Sequence, residues 1–116
     1  MEIKWSKPAL NQLIKILDFI SENGFETYAQ KLEDLIILKT EKLADNSTIY
    51  PLDKYKKNND GSYRAFEIDE HRISYRIKKS EIRIIRIRHT SRKILNYWLF
   101  DHFLFWQVLL KSIFQI

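Results

Sequence analysis

Six of the seven arginines of this 116-residue chain fall within residues 70–92, EHRISYRIKKSEIRIIRIRHTSR, and the seventh, Arg64, lies just upstream. Isoleucines run between them at strand spacing. A guanidinium is a planar fork that donates two parallel hydrogen bonds, so it suits phosphate better than a lysine ammonium does. Strand alternation sets Arg72, Ser74, Arg76 and Lys78 on one face and Ile73, Tyr75 and Ile77 on the other. On the following strand Arg86 and Arg88 lie opposite Ile85, Ile87 and His89. With the isoleucines against a core, Arg72, Arg76, Arg86 and Arg88 gather on an open face, and an anion relieves their mutual repulsion.

Alternation leaves conflicts. Ile82 and Ile84 fall on the side of Arg86 and Arg88. Arg64 alternates with Phe66 and Ile68, at the rim of the core side unless a bulge shifts it. Glu67 and Asp69 would face the arginines, so the competing reading is a cross-strand ladder of structural ion pairs.

His89 sits where the last strand runs out, followed by TSR. Imidazole titrates near neutrality and can move a proton at working pH, although a lone histidine is more often structural than catalytic. Arg92 can add a phosphate contact. His71 falls in a turn and is expected in solvent. The histidines at 71, 89 and 102 have no metal-ligand spacing, and the chain has no cysteine, so neither a metal site nor a disulfide is expected. With only Gly24 and Gly61 there is no glycine-rich phosphate loop, and no GxSxG or Cys–His constellation occurs. No cofactor is implied.

Charge is unevenly spread. Residues 1–53 carry a net of −3, residues 54–93 a net of +8, and residues 94–116 are neutral. A cationic middle points to an anionic partner, nucleic acid first, and the blander alternative is a basic surface kept for solubility. With 45% hydrophobic and 30% charged residues, the length suits one folded domain with one core. MEIKWSKPAL lacks a long apolar run, so no secretory signal is expected. A reducing compartment fits the missing cysteines.

The elements that must position these residues follow from pattern. MEIKW opens as a short strand with Ile3 and Trp5 on one face. Ser6 caps a helix with Pro8 in its first turn, and Leu10, Leu13, Ile14, Leu17 and Ile20 form its apolar stripe. Gly24 ends it. A second helix spans 26–43, its inner side supplied by Tyr28, Leu32, Leu35, Ile36 and Leu43. Residues 45–62 read as loop, with Ile49, Tyr50 and Leu52 available to pin it. Strands at 63–69, 72–78 and 81–89, joined by short turns, make an antiparallel meander. The expected class is α+β, with two helices on one sheet face and the other largely open.

Residues 1–93 resemble the RelE/ParE superfamily of toxins from type II toxin–antitoxin modules. The resemblance rests on Trp5, PALNQLIKILDFI and the helix after it, Arg64 entering the meander, HRISYRI and IIRIRHTSR. It implies the strand, helical hairpin and meander just read, in a small cytoplasmic bacterial toxin of the plasmid-stabilisation kind, masked by a cognate antitoxin. RelE-like members cut mRNA in the ribosomal A site as metal-independent endoribonucleases. ParE-like members poison DNA gyrase and have no accepted hydrolytic site. Carried over, Arg64 and Arg86 or Arg88 would stabilise phosphate, His89 would be the acid/base and Arg92 would assist. Arg72, Arg76 and Lys78, which share one strand face by alternation, are the expected nucleic-acid-binding residues. The lysine-rich set of RelE is not evident in YRAFEID, and the long helical hairpin looks more like ParE.

The resemblance ends near Lys93. Residues 94–116, ILNYWLFDHFLFWQVLLKSIFQI, form an apolar extension expected to be helical. Three readings of it stand together: packing on the toxin or on another copy as a homo-oligomer contact, an extension past an ancestral stop, or a membrane-associated segment interrupted by Asp101, His102, Gln107 and Lys111. The functional alternatives to a growth-arresting toxin are a non-catalytic nucleic-acid-binding module and an inactive toxin relative.

Overall fold

The computed structural model describes residues 1–90. Arg92 and the expected C-terminal helix over 94–116 lie outside the described residues. The order is β1 (Glu2–Trp5), α1 (Lys7–Glu22), α2 (Glu26–Lys42), β2 (Tyr63–Ile68), β3 (His71–Ile77) and β4 (Glu81–His89). The four strands form one sheet in the order β1-β4-β3-β2. β1 joins β4 in parallel, and the meander β2–β3–β4 is antiparallel.

Local chemistry sets the helix ends. The Ser6 hydroxyl accepts from the Ala9 N–H at 3.2 Å, which satisfies one of the donors left free in a first helical turn. Pro8 needs no donor there. Gly24, at φ +88°, makes the left-handed reversal into α2. The hairpin of α1 and α2 covers one sheet face. Its buried side chains, among them Leu13, Ile20, Tyr28, Leu32, Ile36 and Leu43, form one core with Phe66, Ile68, Ile73, Tyr75, Ile82, Ile84 and Ile87.

The expected stripe of α1 is rotated. Ala9, Leu13 and Ile20 are buried, whereas Leu10 and Ile14 are exposed. This helix is apolar around much of its circumference, so periodicity alone does not fix which flank turns inward. In the 45–62 loop only Tyr50 reaches the core, stacked on Phe66 at 4.4 Å, while Ile49 and Leu52 are exposed. Leu52 instead bridges Arg64 on the outer edge of β2. Backbone bonds from Asp53 N–H to the Tyr63 carbonyl (2.9 Å) and from Ala65 N–H to the Pro51 carbonyl (3.3 Å) close that edge.

The conflict in β4 is resolved by a bulge. Ser74 pairs with Arg86 but Tyr75 pairs with Ile84, so Ile85 is an extra residue and the alternation changes phase there. Ile82 and Ile84 before it, and Ile87 and His89 after it, are all buried on the helix side. The start of α1 satisfies backbone groups around the bulge. Ser6 donates its N–H to the Ile84 carbonyl (2.9 Å) and its hydroxyl to the Ile85 carbonyl (3.3 Å). The Gln12 side chain accepts from the Ile87 N–H at 2.8 Å.

Candidate functional site

The face away from the helices carries the arginines in two rows. Register sets Arg72 beside Arg88, Ser74 beside Arg86 and Arg76 beside Arg83 across β3 and β4. Like charges directly opposite one another destabilise a strand pair, so each contact needs compensation or a partner.

Much of the compensation is internal. Asp53, carried on the strap that closes the β2 edge, places Oδ1 2.8 Å from Arg72 Nη2. Glu67 adds a looser contact to Arg72 at 3.6 Å. Burial alone would raise the Asp53 carboxyl. Hydrogen bonds from Arg72 and from the Tyr55 backbone N–H, together with the Arg72 charge, outweigh it and hold the group below its usual range. Arg76 lies 3.8 Å from Asp60 and donates to the Ser62 hydroxyl at 3.3 Å. Arg83 pairs with Glu81 at 3.1 Å. Asp69, expected beside the arginines, instead accepts from the Tyr28 hydroxyl at 3.1 Å in the turn after β2. The ion-pair ladder therefore accounts for Arg72, Arg76 and Arg83.

Arg86 and Arg88 differ. Among the described residues neither has a carboxylate within salt-bridge distance. Arg86 is exposed, and Arg88 lies over the Tyr55 ring at 5.3 Å. Tyr55 also receives Arg72 at 4.7 Å and the Lys54 ammonium at 5.2 Å, so one ring meets three cations. A similar arrangement surrounds Tyr63, with Lys56 and Arg76 each 4.8 Å from its centroid. Lys78 follows the end of β3, half-buried, its N–H bonded to the Glu81 carbonyl at 2.8 Å.

The remaining expected site residues face the other way. Arg64 pairs with Tyr75 on the helix side and donates Nη1 to the Tyr50 carbonyl at 2.6 Å. Burial raises the neighbouring Tyr75 hydroxyl to about 12, and the Arg64 charge opposes that only in part. Tyr75 accordingly acts as a neutral donor, to the Ser47 carbonyl at 2.8 Å. His89 is 8% exposed and meets His71 edge-on with ring centroids 5.3 Å apart. His71, expected in solvent, is the first residue of β3 and is 2% exposed. The turn before it is the two residues Asp69 and Glu70, both with positive φ, so the strand begins sooner than the sequence suggests. Burial, with the neighbouring His89 second, lowers His71 to about 4 and keeps it neutral.

The geometry thus brings Arg72, Arg76, Arg86 and Arg88 together on one face, and separates them from Arg64 and His89. Sequence reasoning missed Asp53 and Tyr55, which lie across the arginine face from a loop. The available signal was DKYKKNND, where acidic and aromatic residues interrupt a basic loop. Among the described residues no group of three or more metal-ligating side chains occurs, and no helix is long and apolar enough to cross a membrane.

Comparison with known proteins agrees with this architecture. A chromosomal ParDE toxin–antitoxin structure from P. aeruginosa is similar at 21% identity, covering 77% of this chain and 95% of that one, with a TM-score of 0.62. Further similar structures are a YoeB dimer from Staphylococcus aureus and a conserved hypothetical protein from Helicobacter pylori. The first has 18% identity, 77% and 95% coverage and TM-score 0.46; the second has 21%, 78% and 96%, and 0.46. No curated protein matches the chain. Residues 3–94 match the family described as the ParE toxin of a type II toxin–antitoxin system, parDE. With the strand, helical hairpin and meander in the order that family likeness implies, the chain belongs to the ParE toxin family and is the toxin of a type II toxin–antitoxin system.

Proposed function

We propose that this toxin arrests growth by poisoning DNA gyrase and does not itself cut RNA. One observation carries the reading: Arg88 and His89 are adjacent in sequence and lie on opposite faces of β4. Cleavage through a ribose 2′-OH needs a proton acceptor and phosphate-stabilising cations around the same phosphate. His89 is buried against His71 on the helix side, and Arg64 is bonded to a loop carbonyl there. An anion held at Arg86 and Arg88 has neither within reach. Those two arginines are the contact surface for an anionic partner, with Arg72 and Arg76 as its structural base and Lys78 and Arg92 contributing further positive charge. The site of action is the cytoplasm. Membership of a toxin–antitoxin family supports a cognate antitoxin that masks the toxin. Residues 94–116, apolar and beyond the family match from residue 95 on, serve as the homo-oligomer contact.

The test uses the purified full chain on two reactions, gyrase supercoiling of relaxed plasmid and ribosomes programmed with mRNA. The expected result is lost supercoiling with intact message. Ribosome-dependent cleavage with normal supercoiling would overturn the proposal.

A further inference from the structure

We propose that Tyr55 is a positioning residue for Arg88, and that the strap from Pro51 to Tyr55 exists to hold the Arg88 guanidinium in place for the toxin's partner. The inference rests on the reading that Arg86 and Arg88 form the working surface. The strap is fixed in two steps. Its first residues pair with the outer edge of β2 through the Pro51 carbonyl and the Asp53 N–H. Asp53 then accepts at Oδ1 from the Tyr55 backbone N–H at 3.0 Å, a turn in which an aspartate side chain replaces a backbone acceptor. The same oxygen receives Arg72 at 2.8 Å. One carboxylate therefore both neutralises the inner arginine and bends the strap so that Tyr55 lies across the arginine pair.

The charge arrangement explains why a ring is used at this position. Arg72 and Arg88 are register partners. A second carboxylate facing Arg88 would cancel its charge and remove it from use. The negative face of an aromatic ring attracts the guanidinium without neutralising it. The ring also restricts a long side chain that would otherwise lose its rotamer freedom only on binding, so the ordering cost is met in the free protein. Tyr55 is 48% exposed, so it serves poorly as a core residue, and its body is available above the sheet. Arg86, beside Ser74 and without such a ring among the described residues, supplies charge without the same restraint.

The experiment is a double-mutant cycle on the full chain, read as the inducer level needed for growth arrest, with Arg88→Ala, Tyr55→Ala, the double variant and Tyr55→Phe. Arg88→Ala should weaken arrest about tenfold and Tyr55→Ala by no more than that, and the double variant should be no weaker than Arg88→Ala alone, because Tyr55 then has no guanidinium to position. Tyr55→Phe keeps the ring and should restore arrest. The side-chain protons of Arg88 should carry an upfield ring-current shift in the wild type and in Tyr55→Phe. That shift should vanish in Tyr55→Ala while the amide resonances of β4 stay in place.

Full toxicity of Tyr55→Ala beside a weakened Arg88→Ala overturns the positioning role and leaves the working surface standing. Additive losses also overturn it, since Tyr55 would then act as an independent contact. A fully toxic Arg88→Ala removes the surface itself. Collapse of the β4 resonances in Tyr55→Ala would overturn the inference in favour of a purely structural role.

Discussion

Asp53 Oδ1 and Arg72 Nη2 are 2.8 Å apart, with the two side chains only 11% and 9% exposed. An ion pair this far from solvent is costly to break from one side, because the remaining charge loses its partner without regaining water. Asp53→Ala should therefore lower stability by about 3 kcal/mol. Glu67, at 3.6 Å and half-exposed, is too distant to compensate. Urea denaturation measures the loss. Asp60→Ala, which removes the solvent-exposed partner of Arg76, should shift the midpoint far less. Equal effects of the two substitutions would contradict the burial of the Arg72 pair.

His71 makes stability depend on pH in a defined window. Its folded value of about 4 lies below the ordinary 6.5, so between these values the unfolded chain binds the extra proton. Stability then rises with pH across that window and is lost as pH falls from 6.5 toward 4, by an amount on the order of 3 kcal/mol. Asp53, lowered from 3.8, contributes separately and only at more acid pH, where its carboxylate is protonated and the stability it supplies is lost. Denaturation curves at pH 7 and pH 4.5 should differ in the wild type and differ less in His71→Phe.

Arg86→Ala should weaken growth arrest while changing stability by no more than about 0.5 kcal/mol, because the side chain is exposed and has no carboxylate partner among the described residues. His89→Phe separates the two faces of β4. It fills the same buried position but cannot move a proton, and growth arrest should persist. Loss of arrest in a folded His89→Phe protein would return the histidine to the chemistry.

Gln12 supplies the acceptor for the Ile87 N–H just past the bulge. Gln12→Leu leaves that donor without its partner and should cost about 1–3 kcal/mol. Hydrogen exchange at the Ile87 amide should accelerate, and unchanged protection there would disprove the role.

Removing residues 94–116 should lower the solution mass to that of a monomer, read by light scattering. The shortened chain retains the fifteen core residues found among the described residues. The same oligomeric state with and without the segment would contradict the proposed contact.

The phase error in β4 shows where reading from sequence stopped. The adjacent isoleucines Ile84 and Ile85 marked the bulge, but simple alternation cannot show which residue is the extra one. The same limit hid the position of His71, because a two-residue turn without glycine gives little local signal. The helix caps were legible, since Ser6 and Gly24 act through bonds and backbone angles within a few residues.

The sequence alone determined the order of strands and helices, the helical hairpin, the meander and the concentration of arginines on two adjacent strands. These follow from periodicity and turn chemistry, which operate over short stretches. Tertiary structure decided which arginines keep their charge available. Asp53 and Tyr55 reach Arg72 and Arg88 across 19 and 33 positions of sequence, and only the closing of the strap over the β2 edge brings them together. Electrostatic energy depends on distances in space, and spacing along the chain does not encode them.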